Sequence, residues 1–394
     1  MQLATDAIAG SFRLGDEARA IQDMVRRIAA ERVAKRADEI DRTADYPQDM
    51  FDLLREVGLF TLPFPAAYGG SDSLLSACVA IEELGRVCYN TAYLLLVQWS
   101  PIGAILAGGT EEQRQRLLPG LASGALRAGF SLTEPQSGSD VSGIRTRAKR
   151  DGKGYRLNGN KIWCTNAAVS DFILVAARSG EEERGAINFF IVERGMEGFT
   201  VGRKEDKMGA RGIPSSALFF DNLYLPPENM LGEKGRGFKQ VMEALNSSRP
   251  LIAARGVGLA QGALDLATAY IAERRAFGQA VSDFQGVRWM IADMAIAVDA
   301  ARLLTYRAAS MIDEGVRGPE MGRAAAVAKC FASDAAMKVA TDAVQLYGAA
   351  GISNEYPINR YFRDAKVLQI IEGTNQIQRN IIARTILGGA GRAA

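Results

Sequence analysis

The runs GYRLNG (154–159), FILVAAR (172–178), AINFFIVE (186–193) and ALFFDNLYL (217–225) decide the fold. Each is short and rich in β-branched and aromatic residues. Asn-Gly, Asp-Gly, Arg-Gly and Pro-Pro pairs punctuate the region between Arg127 and Leu231. Apolar runs bounded by such turn formers read as strands of an antiparallel β unit. They follow one another too closely for crossover helices, which argues against a parallel Rossmann sheet. No G-x-G-x-x-G follows a strand, and GEKGRGF (232–238) lies between a Pro-rich loop and a helix, so it reads as a turn and not a phosphate cradle.

On both sides the texture is helical. Upstream, Ala18, Ile21, Met24, Val25 and Ile28 fall at helical spacing. Pro47 reads as lying just inside the start of the helix carrying MFDLLREVGLF, and Gly58 marks its end. Leu74 to Ala107 reads as buried helix broken near Tyr89-Asn90 and Pro101, and Thr110 with Gln113 forms a capping box. Downstream, helices are expected near 238–275, 283–315, 318–348, 358–371 and 374–387. Several are apolar on most faces, as in LIAARGVGLAQGALDLATAYIA (251–272), which suits a bundle core or a subunit interface. The expected fold class is α+β and multidomain. An N-terminal α-helical domain (1–125) precedes a middle antiparallel β domain (126–236) and a C-terminal four-helix-bundle-like α domain (237–394).

With 394 residues, 48% hydrophobic and 23% charged, and a net charge of +2, the chain has an ordinary globular composition with room for several cores. No basic run suggests nucleic acid, and no apolar run reads as long enough to span a bilayer. The N-terminus has neither the pattern of a secretory signal nor that of a transit peptide, so a cytoplasmic location is expected. Cys78, Cys88, Cys164 and Cys330 are scattered and read as buried thiols in a reducing compartment. The chain contains no histidine, which removes Ser-His-Asp and Cys-His catalysis and His-ligated metals together, and no metal site is expected. Acid–base chemistry must come from Glu, Asp, Lys, Tyr or a cofactor.

One such group stands out in YFRDAKVLQIIEGTNQIQRNIIAR (361–384), where Glu372-Gly373 joins two apolar-faced helices, one ending near Ile371 and one starting near Thr374. A carboxylate at the edge of a dry pocket has a raised pKa and is a stronger base toward whatever enters with it. The other reading is structural: Glu372 merely ends one helix or lies near the start of the next, where negative charge is favoured.

Five blocks in this order resemble the acyl-CoA dehydrogenases: SLTEPQSGSD (131–140), NGNKIWCTN (158–166), ERRAFG (273–278), QLYGAAGISNEYPINRYFRDAK (345–366) and IIEGTNQIQ (370–378). The resemblance covers nearly the whole chain. It implies an FAD enzyme that desaturates the α,β bond of an acyl-CoA thioester, with Glu372 of the EGT motif as catalytic base. It places Leu132 and Thr133 at the pyrimidine edge of the flavin, Trp163 over one ring face and Thr165 near N5. Trp163 by itself would read as a half-buried strand aromatic, and Arg274 as part of a solvated helix end. By the resemblance Arg274, Phe277 and Gln285 reach the pyrophosphate and adenosine half from a neighbouring subunit. Gln345, Gly348 and Ala349 cradle the same half, and Thr374 and Gln376 hold the cofactor from the last helix. Ser139, Asn246, Arg249 and Gly373 fall near the acyl-CoA by the resemblance, and Ser139 also among the cofactor-binding residues. The resemblance further implies a homo-oligomer, a dimer of dimers, with an electron-transfer flavoprotein as acceptor, in fatty acid or amino acid catabolism. Some members carry the base on the helix that here reads LNSSRPL, where Ser247 and Ser248 stand in its place, which favours Glu372. Ala349, Ser131 and Ile371 depart from the family's usual residues, and Trp99 beside Gln98 is expected to narrow the acyl tunnel. An oxygen-using oxidase or a desulfinase of the same fold, and a non-catalytic scaffold, are the competing readings.

Overall fold

A computed structural model describes residues 14–179, 187–233 and 237–388, with the side chains of 238–243 outside that description. Ala186, Arg184-Gly185 and Lys234–Arg236 of the expected strand and turns lie outside the described residues.

The N-terminal helices are α1 (Asp16–Ile28), α2 (Ala34–Thr43), α3 (Gln48–Glu56), α4 (Leu74–Gly85), α5 (Tyr89–Trp99), α6 (Ile102–Gly108) and α7 (Glu111–Ala122). A π-helical turn, Ala29–Val33, joins α1 to α2. Local chemistry sets most of these ends. Thr110 Oγ1 accepts from Gln113 N at 3.2 Å while Gln113 Oε1 accepts from Thr110 N at 3.0 Å, the reciprocal box expected at α7. Pro47 sits one place earlier than expected, at the N-cap of α3, and Gly58 takes the left-handed φ of 73° beyond its end. One expectation is corrected: Tyr89–Gly108 is 20 residues long and apolar enough for a membrane span. It is broken between α5 and α6 and 67% buried, which is how a core helix pair of a folded domain satisfies the same test. Trp99 is spent on that core, its indole N–H donating to the Phe60 carbonyl at 2.8 Å, and Gln98 donates to the carbonyls of Leu121 and Leu126.

The middle segment folds into a seven-stranded sheet: β1 (Ala128–Ser131), β2 (Arg147–Asp151), β3 (Gly154–Thr165), β4 (Phe172–Arg178), β5 (Ile187–Glu193), β6 (Phe199–Lys204) and β7 (Ser215–Leu225). The β2–β3, β3–β7, β6–β7 and β4–β5 pairs are antiparallel, as expected. The exception is β4, which lies parallel to β1 and, at its far end, to β2. The connection that makes this possible contains the β2–β3 hairpin and a single 3-10 turn (Val141–Gly143), with no α-helix among the described residues. Along β3 the register slips twice against β7, and the second slip, between Lys161 and Cys164, gives Trp163 a φ of 59°. Such a bulge re-aims a side chain. Here it leaves the indole 53% exposed.

The C-terminal helices are α8 (Gly237–Glu273), α9 (Gln285–Asp313), α10 (Pro319–Tyr347), α11 (Ile358–Leu368) and α12 (Asn375–Ile386). A two-stranded ribbon, β8 (Arg275–Ala276) and β9 (Gln279–Ala280), turns the corner from α8 to α9. The helices at both ends of the chain share one apolar core, and the sheet interior forms a second. Polar ties cross that shared core. Glu82 of α4 accepts from Arg302 at 2.7 Å and Tyr306 at 2.8 Å on α9, and Arg360 and Arg363 of α11 pair with Asp38 and Asp41 on α2. The joint between α11 and α12 is thereby fixed against the N-terminal helices.

Candidate active site

The α11–α12 joint has a strained backbone. Glu372 has φ of 55° and Gly373 has φ of 88°, and a non-glycine residue in the left-handed region persists only where its surroundings hold it. Those surroundings come from α10. Lys329 Nζ donates to the Gly373 carbonyl at 2.8 Å and to Asn375 Oδ1 at 2.9 Å. Asp334 accepts from Gln369 at 2.7 Å on one side of the joint, and from Asn375 and Arg379 at 2.6 Å on the other. Thr374 caps α12, its hydroxyl accepting from Ile377 N at 3.3 Å, and Gln378 Nε2 donates to the Gly373 carbonyl at 2.9 Å. The backbone N–H of Glu372 has no acceptor among the described residues. A methyl group on Gly373 would meet Gln378 Nε2 at 2.7 Å in a backbone conformation that disfavours any side chain. Gly373→Ala is therefore expected to destabilise the fold by about 1–3 kcal/mol, read as a lowered thermal midpoint.

Around the half-buried Glu372 carboxylate stand three cations and a hydroxyl. Burial raises its pKa above the ordinary glutamate value; Arg255, Arg249, Lys329 and Ser248 oppose that shift without reversing it. Ser248 Oγ lies 3.5 Å from Glu372 Oε2, a long contact, and Arg249 Nη1 donates to Asn246 Oδ1 at 2.6 Å. Burial brings the Arg249 guanidinium down to about 10 and the Lys329 ammonium down to about 8. The carboxylate thus holds a proton more readily than a solvated one, in a site where positive charge is in excess.

The other residues expected at a site fall into two groups. In the β domain, Ile162 N donates to the Thr133 carbonyl at 3.0 Å, which sets Leu132 and Thr133 beside the Trp163–Thr165 segment. Ser139 is exposed on the loop after β1. At the helical corner, Arg274, Phe277 and Gln285 are exposed, Phe277 at 96%. The exposed Gln345, Gly348 and Ala349 end α10 nearby, where Tyr347 stacks on Tyr270 of α8 with ring centroids 4.0 Å apart. No hydrogen bond or ring contact joins the corner group to the Trp163 group within the chain among the described residues.

This fold and site define a flavin-dependent oxidoreductase acting on CH–CH bonds. Models of the acyl-CoA dehydrogenase N-terminal, middle and C-terminal domains match residues 15–125, 129–223 and 235–387, and the chain belongs to the acyl-CoA dehydrogenase family. It is 42% identical over 380 residues to a probable acyl-CoA dehydrogenase of Mycobacterium tuberculosis, covering 95% of this chain and 97% of that one. Butyryl-CoA dehydrogenase of Megasphaera elsdenii superposes with a TM-score of 0.92 at 37% identity, over 96% of this chain and 100% of the other. A glutaryl-CoA dehydrogenase of Mycobacterium smegmatis in complex with FADH2 superposes at 0.89 with 27% identity, over 98% of each chain. FAD is the cofactor of the family, and the donor set here fits it. An indole face turned out of the sheet by a bulge with two half-buried threonines beside it suits a planar ring, and Arg274, whose side chain makes no hydrogen bond or ion pair among the described residues, suits a diphosphate.

Sequence reasoning missed Lys329, Asp334, Arg255 and the buried ion pair of Glu134 with Lys161 at 2.7 Å. The only sequence signal for Lys329 is a lysine inside the apolar run AAAVAKCFA of α10.

Proposed function

We propose that the protein desaturates the α,β bond of an acyl-CoA thioester, with Glu372 as the base. The observation that carries this is the joint itself: a carboxylate of raised pKa, held in a left-handed conformation beside an unclaimed backbone N–H. Glu372 takes the α-proton and becomes the neutral acid that its burial favours. Bound FAD would supply the hydride acceptor for the β-hydrogen. As the proton leaves, negative charge builds on the thioester oxygen, and the free N–H of Glu372 is the chain's own donor for it. The excess of positive charge on Arg249 and Lys329 favours that developing anion. Arg249 and Asn246, bonded to each other, line the acyl-CoA side with Ser139 and Gly373.

Leu132, Thr133, Trp163 and Thr165 would hold the isoalloxazine end of the cofactor, with Thr374 and Gln376 on the helical side. Arg274, Phe277, Gln285, Gln345, Gly348 and Ala349 face outward and serve the FAD of a second copy, which makes the working unit at least a dimer and, by family resemblance, a dimer of dimers. An electron-transfer flavoprotein is the proposed acceptor.

The test is a visible spectrum of the purified protein followed by anaerobic addition of acyl-CoA thioesters. Bound flavin that bleaches with a thioester supports the reading. A colourless protein that takes up no added FAD sinks it and leaves the scaffold; flavin bleached and then reoxidised rapidly by air alone favours the oxidase.

A further inference from the structure

Arg255 lies six residues after Arg249 on α8, has no exposed surface, and none of Nε, Nη1 or Nη2 has a hydrogen-bond partner among the described residues. Its guanidinium carbon sits 3.7 Å from the ring centroid of Tyr93 and 4.4 Å from that of Tyr89, both on α5. A cation over an aromatic face uses the flat side of the guanidinium and leaves the N–H donors around its edge unspent. The Tyr89 hydroxyl, buried beside it, is also without a partner.

Among the described residues no carboxylate answers this charge at hydrogen-bond distance. Glu372 feels Arg255 more strongly than either of the other two cations but makes no hydrogen bond to it. Asp364, the carboxylate that acts on Tyr89, accepts from Ala210 N at 2.7 Å and has Arg360 and Arg363 beside it. Lys329 and Arg249 direct their hydrogen bonds to neutral oxygens. Among the described residues Lys329 also feels Asp334, whereas Arg255 and Arg249 face Glu372 without an ion pair of their own, and an unpaired buried guanidinium is costly. Ring contacts recover only part of that cost.

We propose that Arg255, with the Tyr89 hydroxyl, binds a carboxylate at the far end of a short acyl chain, so that the preferred substrate is the CoA thioester of a dicarboxylic acid. This rests on the acyl-thioester reading above. The planar fork of an arginine matches a carboxylate with two parallel hydrogen bonds. Arg255 lies six residues, about 9 Å, along α8 from Arg249, which itself acts on the base, and that spacing suits a short acyl chain.

The experiment compares succinyl-, glutaryl- and adipyl-CoA with butyryl-, valeryl- and hexanoyl-CoA, reading kcat/KM on the FAD-loaded enzyme and, independently, the Kd of the matching enoyl products from the perturbed flavin spectrum. One of the three carboxylated thioesters is expected to exceed its equal-length neutral partner by about 10²-fold or more, because a site built for a polar group rejects the analogue lacking it. Arg255→Gln is expected to bring the ratio of carboxylated to neutral substrate down to near one in both readouts, a ratio that cancels whatever losing a cation near Glu372 does to both substrates alike. Arg255→Lys, with the charge but not the fork, should keep part of the preference. Wild-type enzyme that bleaches at least as well with every neutral thioester overturns the proposal while the dehydrogenase reading stands. So does an Arg255→Gln enzyme, or an Arg255→Lys enzyme, that loses both classes of substrate equally. If no thioester bleaches bound flavin, the dehydrogenase reading fails and this one falls with it.

Discussion

Glu372→Gln is expected to load FAD and bind acyl-CoA normally, yet to reduce its flavin about 10²–10⁴-fold more slowly, the range general bases supply. Stopped-flow flavin bleaching under anaerobic conditions measures it. The amide is isosteric and inherits the same left-handed backbone at φ of 55°, so the joint keeps its shape and only the proton acceptor is lost. Unfolding cannot mimic this result. Folded Glu372 holds its proton more tightly than it does in the unfolded chain, chiefly through burial. Its contribution to stability is then full below the ordinary glutamate pKa and is lost as pH rises through the folded-state value. Glutamine does not ionise and escapes that loss, so at pH 8 the variant should melt no lower than wild type. In the wild type, kcat/KM should rise with pH as Glu372 deprotonates, with the limb displaced above the usual carboxylate range, and the variant should lack that limb. Turnover close to wild type in Glu372→Gln would move the base elsewhere.

What the chain discloses before folding follows from how local each feature is. The five C-terminal helices lie within a few residues of their expected bounds, because apolar period, glycines and prolines near their ends are all encoded in neighbouring residues. The capping box of α7 and the break at Pro101 are local for the same reason. The parallel pairing of β1 with β4 is not, since register between strands some forty residues apart depends on what lies between them. Nor is the bulge that turns Trp163 outward: the sequence shows a tryptophan in a strand, whereas the slip against β7 gives it an exposed face. The site divides in the same way. Glu372 announces itself as a lone acid between apolar runs. Arg255 and Lys329 read as isolated charges on long apolar helices, and they acquire meaning only when α8 and α10 bring them to the same carboxylate. Gln98 and Trp99 show the converse, polar groups in an apolar helix whose partners are backbone carbonyls that only the fold brings near them.

Lys161→Met is expected to cost about 3–5 kcal/mol, the penalty for stranding one member of a buried ion pair. Lys161 and Glu134 are 0% and 2% exposed, and Lys161 Nζ also donates to the Leu132 carbonyl at 2.9 Å. Glu134 in turn accepts from Arg145 N at 2.5 Å and Thr146 N at 2.9 Å, so one pair ties β3 to the segment after β1 and to the strand that follows. Burial works against ionised Glu134, but the charge and hydrogen bond of Lys161 and those from Arg145 and Thr146 outweigh it and hold its carboxyl below the ordinary value. The same burial brings Lys161 down to about 8. With methionine in place of Lys161, Glu134 keeps the burial and loses its main partner, so its folded pKa rises above the unfolded one. The variant's deficit should therefore widen as pH rises through that new value and shrink in acid. The second consequence lies at the proposed flavin edge. Leu132 loses its donor, and the Thr133–Ile162 bond that sets Thr133 beside Trp163 loses its support. Flavin occupancy should fall with stability, read as the ratio of flavin to protein absorbance after purification. Glu134→Gln combined with Lys161→Met removes the stranded charge and should recover most of the stability. A Lys161→Met protein within about 1 kcal/mol of wild type across the pH range would mean that β2, β3 and the apolar packing of the sheet hold this edge without the ion pair.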